Sequence, residues 1–242
     1  MTTTTTPAGV RERVDAFVWE ELREQLDERG FAVTPVLLDP AECAELADLF
    51  DGGRFRSTID MARHRFGDGR YRYFDHPLPA TIADLRAAFY RRLARVANDW
   101  DRRLGADADA YPAEHEELLE RCRAVGQTRP TPLILRYGEG DWNALHQDLY
   151  GDVFFGFQVL TVLAEPGVDF DGGELVLLEQ RPRAQSRAHV LLPPRGAFVI
   201  FPTHHRPQRG ARGYHRVGMR HGVSTVTRGS RTALGIIFHD AR

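Results

Sequence analysis

The chain contains no lysine, and it has only two cysteines and no long apolar run, two shortages that each remove a class of protein. No stretch approaches the roughly 20 apolar residues that cross a bilayer as a helix, so no membrane span is expected. Cys43 and Cys122 are far apart in a chain of 242 residues, which is not the disulfide framework of a small secreted domain. Both fall in segments with helical patterning, where a small buried apolar role is the simpler reading. Met1 to Pro7 is a threonine tract without a basic or an apolar segment. It does not read as a secretory signal, and residues 1–10 are expected to form a disordered tail in a cytoplasmic protein. Acid is missing as well: no Asp or Glu occurs from Gln180 through His239, a stretch that holds eleven arginines. That stretch should attract anions, nucleic acid included, although the net charge is only −2.

What is present divides into two parts. Residues 11–29 carry Val14, Phe17, Val18, Leu22 and Leu26 at three- and four-residue spacings, which predicts an amphipathic helix stopped by Gly30. Asp39-Pro40 supplies an N-cap and a first-turn proline for a helix over 41–50. Leu85, Phe89, Leu93, Val96 and Trp100 predict a longer helix over 81–103, and a shorter one follows over 113–125. Residues 54–78 show no clear period, so strand and loop both remain open there. From Pro130 onward the pattern changes to short β-branched and aromatic runs at 133–137, 154–163, 174–178, 188–192, 197–201, 217–227 and 231–238. The expected architecture is α+β: a helical buttressing region over 11–129 packed on one sheet of a double-sheet jelly roll over 130–242, whose mouth can house a ligand or metal.

His146 and Asp148 stand two apart, so on an extended segment both side chains leave the same face. With ten histidines and nineteen aspartates in 242 residues, about one His-x-Asp arises by chance, and a hydrogen-bonded surface pair is the alternative. Two histidines and one carboxylate suit Fe(II) and leave three coordination positions open. The second histidine has six candidates: His189, His204, His205, His215, His221 and His239. If 2-oxoglutarate is the partner of such a metal, its distal carboxylate requires a fixed cation, and the planar fork of arginine meets it with two parallel hydrogen bonds. His221 has such an arginine: 221–227 reads as a strand, 228–230 as a turn, and Arg231 as the start of the returning strand, with Thr227 facing it. His204-His205 sits in a proline-rich loop and reads as rim or substrate-binding surface. Bland structural roles serve for His189, His215 and His239.

Three motifs, His146-Gln147-Asp148, Phe170-Asp-Gly-Gly-Glu-Leu175 and His221-Gly-Val-Ser-Thr-Val-Thr-Arg-Gly-Ser-Arg231, together resemble the Fe(II)/2-oxoglutarate dioxygenases of the double-stranded β-helix fold, cupin-like in outline. The prolyl hydroxylase branch is the nearest in these motifs, over roughly 132–240. The resemblance implies iron at His146, Asp148 and His221, and Arg231 on the distal carboxylate of 2-oxoglutarate. Tyr137 would assist that arginine, its alternative being a core tyrosine with a satisfied hydroxyl. It implies Fe(II), 2-oxoglutarate and O2, with ascorbate as a supporting reductant, and hydroxylation of an amino acid, peptide or small molecule with release of succinate and CO2. The whole chain is also similar to a small prokaryotic group labelled as oxidative dealkylases of damaged nucleic acid, a substrate that the arginines of 181–231 would suit. Dealkylases of the AlkB kind carry a second arginine six residues after the first, where this chain has Ile237. A cupin-like metal-binding protein without turnover is the reading from another class.

Overall fold

The computed structural model describes residues 8–106, 110–181 and 183–242, so most of the expected N-terminal tail lies outside the described residues. The helical part comprises α1 (Val10–Asp15), α2 (Trp19–Arg29), β1 (Ala32–Val36), α3 (Pro40–Gly52), β2 (Phe55–Asp60), a 3-10 turn (Met61–His64), β3 (Gly67–Asp68), β4 (Arg70–Phe74), α4 (Ala80–Arg103) and α5 (His115–Ala124). The strand-rich part follows with β5 (Leu133–Tyr137), β6 (Trp142–His146), β7 (Phe157–Val162), β8 (Phe170–Gly172), β9 (Leu175–Gln180) and β10 (Arg187–Leu191). It closes with β11 (Ala197–Pro202), β12 (His205–Gly210), β13 (Gly213–Val223), β14 (Val226–Gly229) and β15 (Arg231–Ile237).

Two antiparallel sheets face each other as a jelly roll. The major sheet runs β1-β11-β7-β15-β5-β4-β2 and the minor one β10-β9-β13-β6-β3, with β12 on β13; β14 pairs with β8 apart from both. β7, β11 and β15 are buried at every position because the sheet they form is covered on both faces. On the outer face Phe157, Val159, Phe198, Ile200, Leu234 and Ile236 meet Leu85, Phe89 and Leu93 of α4. The alternate residues Leu160, Val162, Val199, Phe201 and Ala233 point inward and meet Leu175, Leu177, Met219 and Val223 of the minor sheet. That period-two split makes continuous apolar strands necessary here. Truncating a residue such as Leu93 to alanine should cost about 2–5 kcal/mol.

Local signals account for most boundaries. Asp39 accepts from the Glu42 amide at 2.9 Å while Glu42 accepts from the Asp39 amide at 2.9 Å, a capping box that starts α3 ahead of Pro40. Gly30 ends α2 at φ 80°. The single helix expected over 11–29 is instead broken between Asp15 and Trp19. The break lets the Trp19 indole donate to the Val14 carbonyl at 2.9 Å and lay its edge on Phe89, 6.1 Å away between centroids. Residues 54–78, open between strand and loop, supply β2 and β4 to the edge of the major sheet and β3 to the minor one. The helical part thus also builds the sheets. The single strand expected over 217–227 is two strands, and β12 stands where the proline-rich loop was expected. β12 lies at a sheet edge, where Pro207 costs no ladder bond to a second neighbour.

Candidate active site

His146 ends β6, and its register partner across the sheet is His221 of β13. Their rings lie 4.1 Å apart between centroids, and Asp148, on the loop just past β6, reaches both: its Oδ1 is 3.5 Å from His146 Nε2 and its Oδ2 is 3.2 Å from His221 Nε2. One ligand atom from each of the three lies within 4.8 Å of the others, close enough to share one ion. His146 Nδ1 is 2.8 Å from the Ala144 carbonyl, which can only accept. Nδ1 therefore carries the hydrogen, and Nε2 turns its lone pair toward Asp148. Gln147, between the two, donates from its amide to the carbonyls of His204 and Met219 at 2.8 Å each, which ties down the turn. Burial pushes the His146 ring below its ordinary value, helped by the neighbouring His221. Burial pushes the other way on Asp148, but His221, His146 and Tyr150 outweigh it and hold the carboxyl well below the usual carboxylate range. The carboxylate of the trio is thus held in its charged form beside both rings.

Beyond it a cavity of about 220 Å³ opens, walled largely by aromatic and aliphatic side chains, among them Phe66, Tyr71, Tyr73, Leu135 and Leu160. Two tyrosines there escaped the reading of the sequence. The Tyr150 hydroxyl donates to Asp148 Oδ1 at 2.7 Å, and the Tyr73 hydroxyl donates to Tyr150 at 3.3 Å. The only sequence signal for Tyr150 is its place two residues after Asp148. Tyr73 gives none, because its contact depends on β4 joining β5 in the major sheet.

Arg231 starts β15 beside Tyr137, its register partner on β5. Both point into the jelly roll from the major sheet, facing the minor sheet that carries His221. The hairpin expected between Thr227 and Arg231 does not form: β14 pairs with β8, placing Gly229 against Phe170, while β15 crosses into the other sheet. Arg231 is 1% exposed, and none of its three guanidinium nitrogens has a hydrogen-bond partner among the described residues. Burial lowers its affinity for its proton, opposed by Tyr137 and Glu174. Its guanidinium carbon is 5.5 Å from the Tyr137 ring centroid. Tyr137 is buried too; its hydroxyl accepts from the Asn143 amide at 3.3 Å, and burial pushes it up to about 12. Gly173, at φ 62° in the Gly172-Gly173 pair, makes room for this arginine, since a Cβ there would come within 2.8 Å of Arg231 Cδ.

The remaining histidines stay outside this group. His204 and His205 contact each other in a separate cavity beside Trp100 and Tyr111. His189 lies edge-on to Phe31 at 5.1 Å, and the buried His239 accepts from the Phe155 amide through Nδ1 at 3.1 Å. The arginine-rich stretch is less cationic in space than in sequence. Arg181 and Arg206 meet Glu179 at 2.6 and 2.8 Å, Arg195 meets Glu165 at 3.0 Å, and Arg228 meets Asp171 at 2.6 Å. Both cysteines are buried and free, and no described helix is long and apolar enough to cross a membrane.

Comparison with known proteins adds the class. A Pseudomonas putida prolyl-4-hydroxylase superposes with a TM-score of 0.55 at 17% identity, covering 93% of this chain and 100% of that one. A Trichoplax adhaerens prolyl hydroxylase, solved with a hypoxia inducible factor peptide fragment, superposes with a TM-score of 0.54 at 16% identity over 98% and 94%. An oxidoreductase of the 2OG-Fe(II) oxygenase family from Burkholderia pseudomallei gives 0.50 at 19% identity over 96% and 90%. These likenesses establish a shared double-stranded β-helix fold. An uncharacterized protein of two Mycobacterium tuberculosis strains is 47% identical over 168 residues, 69% of this chain and 72% of its own length. Residues 69–241, which include His146, Asp148, His221 and Arg231, match a family described as an oxygenase catalysing oxidative methylation of damaged DNA. The chain belongs to that oxygenase family, on the scaffold that the 2-oxoglutarate/Fe(II) oxygenases use.

Proposed function

We propose that the chain is an Fe(II)- and 2-oxoglutarate-dependent dioxygenase, with His146, Asp148 and His221 as iron ligands and Arg231 as the clamp on 2-oxoglutarate. The unpartnered guanidinium of Arg231 carries this reading. A buried cation without an anion costs on the order of several kcal/mol, and a carboxylate delivered by a ligand would relieve it with paired charge-assisted hydrogen bonds. The donor set fits the metal: two neutral imidazoles and one carboxylate suit Fe(II) and leave open positions. The bound iron would supply dioxygen activation coupled to decarboxylation of 2-oxoglutarate, giving succinate and CO2 and oxidising a C–H bond of the substrate.

The protein's own contribution is positioning and exclusion of water. Ala144 sets the His146 tautomer, Tyr150 occupies one oxygen of Asp148, and Gln147 locks the turn between them. Tyr137 walls the clamp, and the apolar lining keeps water from the reacting carbon. The three proposed iron ligands and the clamp fall within 130–242, which we take as the catalytic core; 11–129 buttresses it with helices and completes its sheets and cavity wall with β1 to β4, Phe66, Tyr71 and Tyr73. The two free buried thiols suit a reducing cytoplasm.

The family's description favours damaged nucleic acid as the substrate, where oxidation of a carbon attached to nitrogen releases the alkyl group. Hydroxylation of an amino acid, peptide or small molecule is the second reading; a cavity of about 220 Å³ holds one side chain as readily as one base. Both share one test. Purified protein given Fe(II), 2-oxoglutarate, ascorbate and oxygen should form succinate, and His146→Ala or His221→Ala should abolish it. Succinate formation unchanged in those variants would contradict the ligand assignment, and none from the wild type would favour a non-catalytic metal-binding protein.

A further inference from the structure

At the cavity mouth the 3-10 turn and the two residues after it place Arg63, His64, Arg65 and Phe66 in consecutive exposed positions. We infer that this turn is a docking platform for single-stranded nucleic acid: Phe66 and His64 stack a base next to the one entering the cavity, and Arg63 and Arg65 meet flanking phosphates. The inference rests on the oxygenase reading above and names the element that would hold its polymer substrate.

The turn is built to be stiff and close to the metal ligands. Met61 is fully buried and anchors it, its amide bonded to the Gly69 carbonyl at 3.0 Å, while the Phe66 amide returns to the Met61 carbonyl at 3.1 Å. The Phe66 carbonyl accepts from the Ala144 amide at 2.7 Å, and the Ala144 carbonyl in turn holds His146 Nδ1. The platform and the proposed ligand His146 are thus joined through a single residue. Phe66 lines the cavity yet is 48% exposed, and the His64 ring is stacked on it at 5.4 Å with 19° between planes. Trp142, on the strand that pairs with β3, is another exposed aromatic, at 41%.

Aromatic rings about half exposed beside a reaction cavity are poorly explained by packing, since Phe66 keeps one face against His64 and leaves much of its surface in water. Alternation with guanidinium groups matches the bases and phosphates of a single strand, whose stacking tolerates any sequence. The cations are free to take part: among the described residues Arg65 makes no salt bridge, and Arg63 makes only a loose one to Asp60 at 3.8 Å, with its side chain 81% exposed.

The test is fluorescence anisotropy of a short fluorescein-labelled oligothymidylate, titrated across salt concentrations, with succinate formation measured in parallel. Phe66→Leu should weaken binding by about tenfold, the worth of one stacked base. Arg63→Gln with Arg65→Gln should also weaken it and flatten the plot of log affinity against log salt by about 1.4, at about 0.7 per lost phosphate contact. That double variant should still convert 2-oxoglutarate to succinate as the wild type does. Oligothymidylate binding equal to wild type in both variants, with succinate still forming, overturns the platform and leaves the oxygenase reading standing. Wild-type binding that ignores salt, or preference for an uncharged proline-rich peptide over the oligonucleotide, overturns it equally. Absence of succinate from the wild type strikes the oxygenase reading itself.

Discussion

β15 has a buried arginine at each end, and the two are handled in opposite ways. At the C-terminal end Arg86, from α4, is 2% exposed and well met: it donates to the Ile237 carbonyl at 2.9 Å, to Asp240 at 2.8 Å and to Thr131 at 3.3 Å. At the N-terminal end Arg231 has Tyr137 beside it and no acceptor among the described residues. An arginine that closes on its own carboxylate pins helix to sheet. One buried with its donors idle is a place for an anion from outside, and the proposed chemistry supplies one.

That contrast sets out a series of measurements. The largest effect is expected from Asp240→Ala, which strands Arg86: urea denaturation should show a loss of about 3–5 kcal/mol. A loss under about 1 kcal/mol would mean that water reaches Arg86 and the two ends are less different than described. Arg231→Met should act in reverse. It removes an uncompensated charge, so the ligand-free protein should be no less stable than wild type, while affinity for 2-oxoglutarate falls by about a hundredfold or more, since each of the two hydrogen bonds to a charged group contributes about 1.5–3 kcal/mol. Added 2-oxoglutarate should then raise the Tm of wild type and leave that of the variant in place.

Smaller again is Tyr150→Phe, which frees Asp148 Oδ1. Mn(II) affinity, read by titration, should drop about tenfold to a hundredfold, as for other outer hydrogen bonds to metal ligands, with the affinity for 2-oxoglutarate measured at saturating metal unchanged. The most gradual effect comes with pH and lies at the Arg86 end. Burial, reinforced by Arg86, depresses His115 from 6.5 to about 3 and His239 from 6.5 to about 4. Above pH 6.5 these rings are neutral in both states and contribute nothing. Below it the unfolded chain binds protons that the native state refuses until about 4 and 3, so stability falls as pH falls through that window. Each ring approaches about 1.4 kcal/mol per pH unit. Unfolding midpoints at pH 7 and 5 check this, and His239→Gln should make the slope shallower.

The two ends also differ in how much of them was legible beforehand. Leu133–Tyr137 and the start of β15 at Arg231 were readable because apolar alternation and a Gly-Ser turn bracket them. His221 could be picked out because an arginine follows it at a chemically sensible interval. Contacts made across the fold left no such mark. Tyr73 meets Tyr150 only because β4 joins β5, and Arg86 meets Asp240 across 154 positions. The expected Thr227–Arg231 hairpin failed for the same reason: a turn signal cannot tell whether the returning strand pairs with its neighbour or crosses to the other sheet. Four arginines of the arginine-rich stretch are paired in a way the sequence does not announce, because Glu165, Asp171 and Glu179 lie just before it in sequence but among its arginines in space.

The most direct test of the central claim is calorimetric titration of 2-oxoglutarate into anaerobic protein loaded with Mn(II), for wild type and Arg231→Met side by side. The expected result is one molecule bound per wild-type chain, with binding lost in the variant while its Mn(II) affinity is kept. Equal binding of 2-oxoglutarate by both proteins, or parallel loss of metal and 2-oxoglutarate, would contradict the assignment of Arg231 as the clamp.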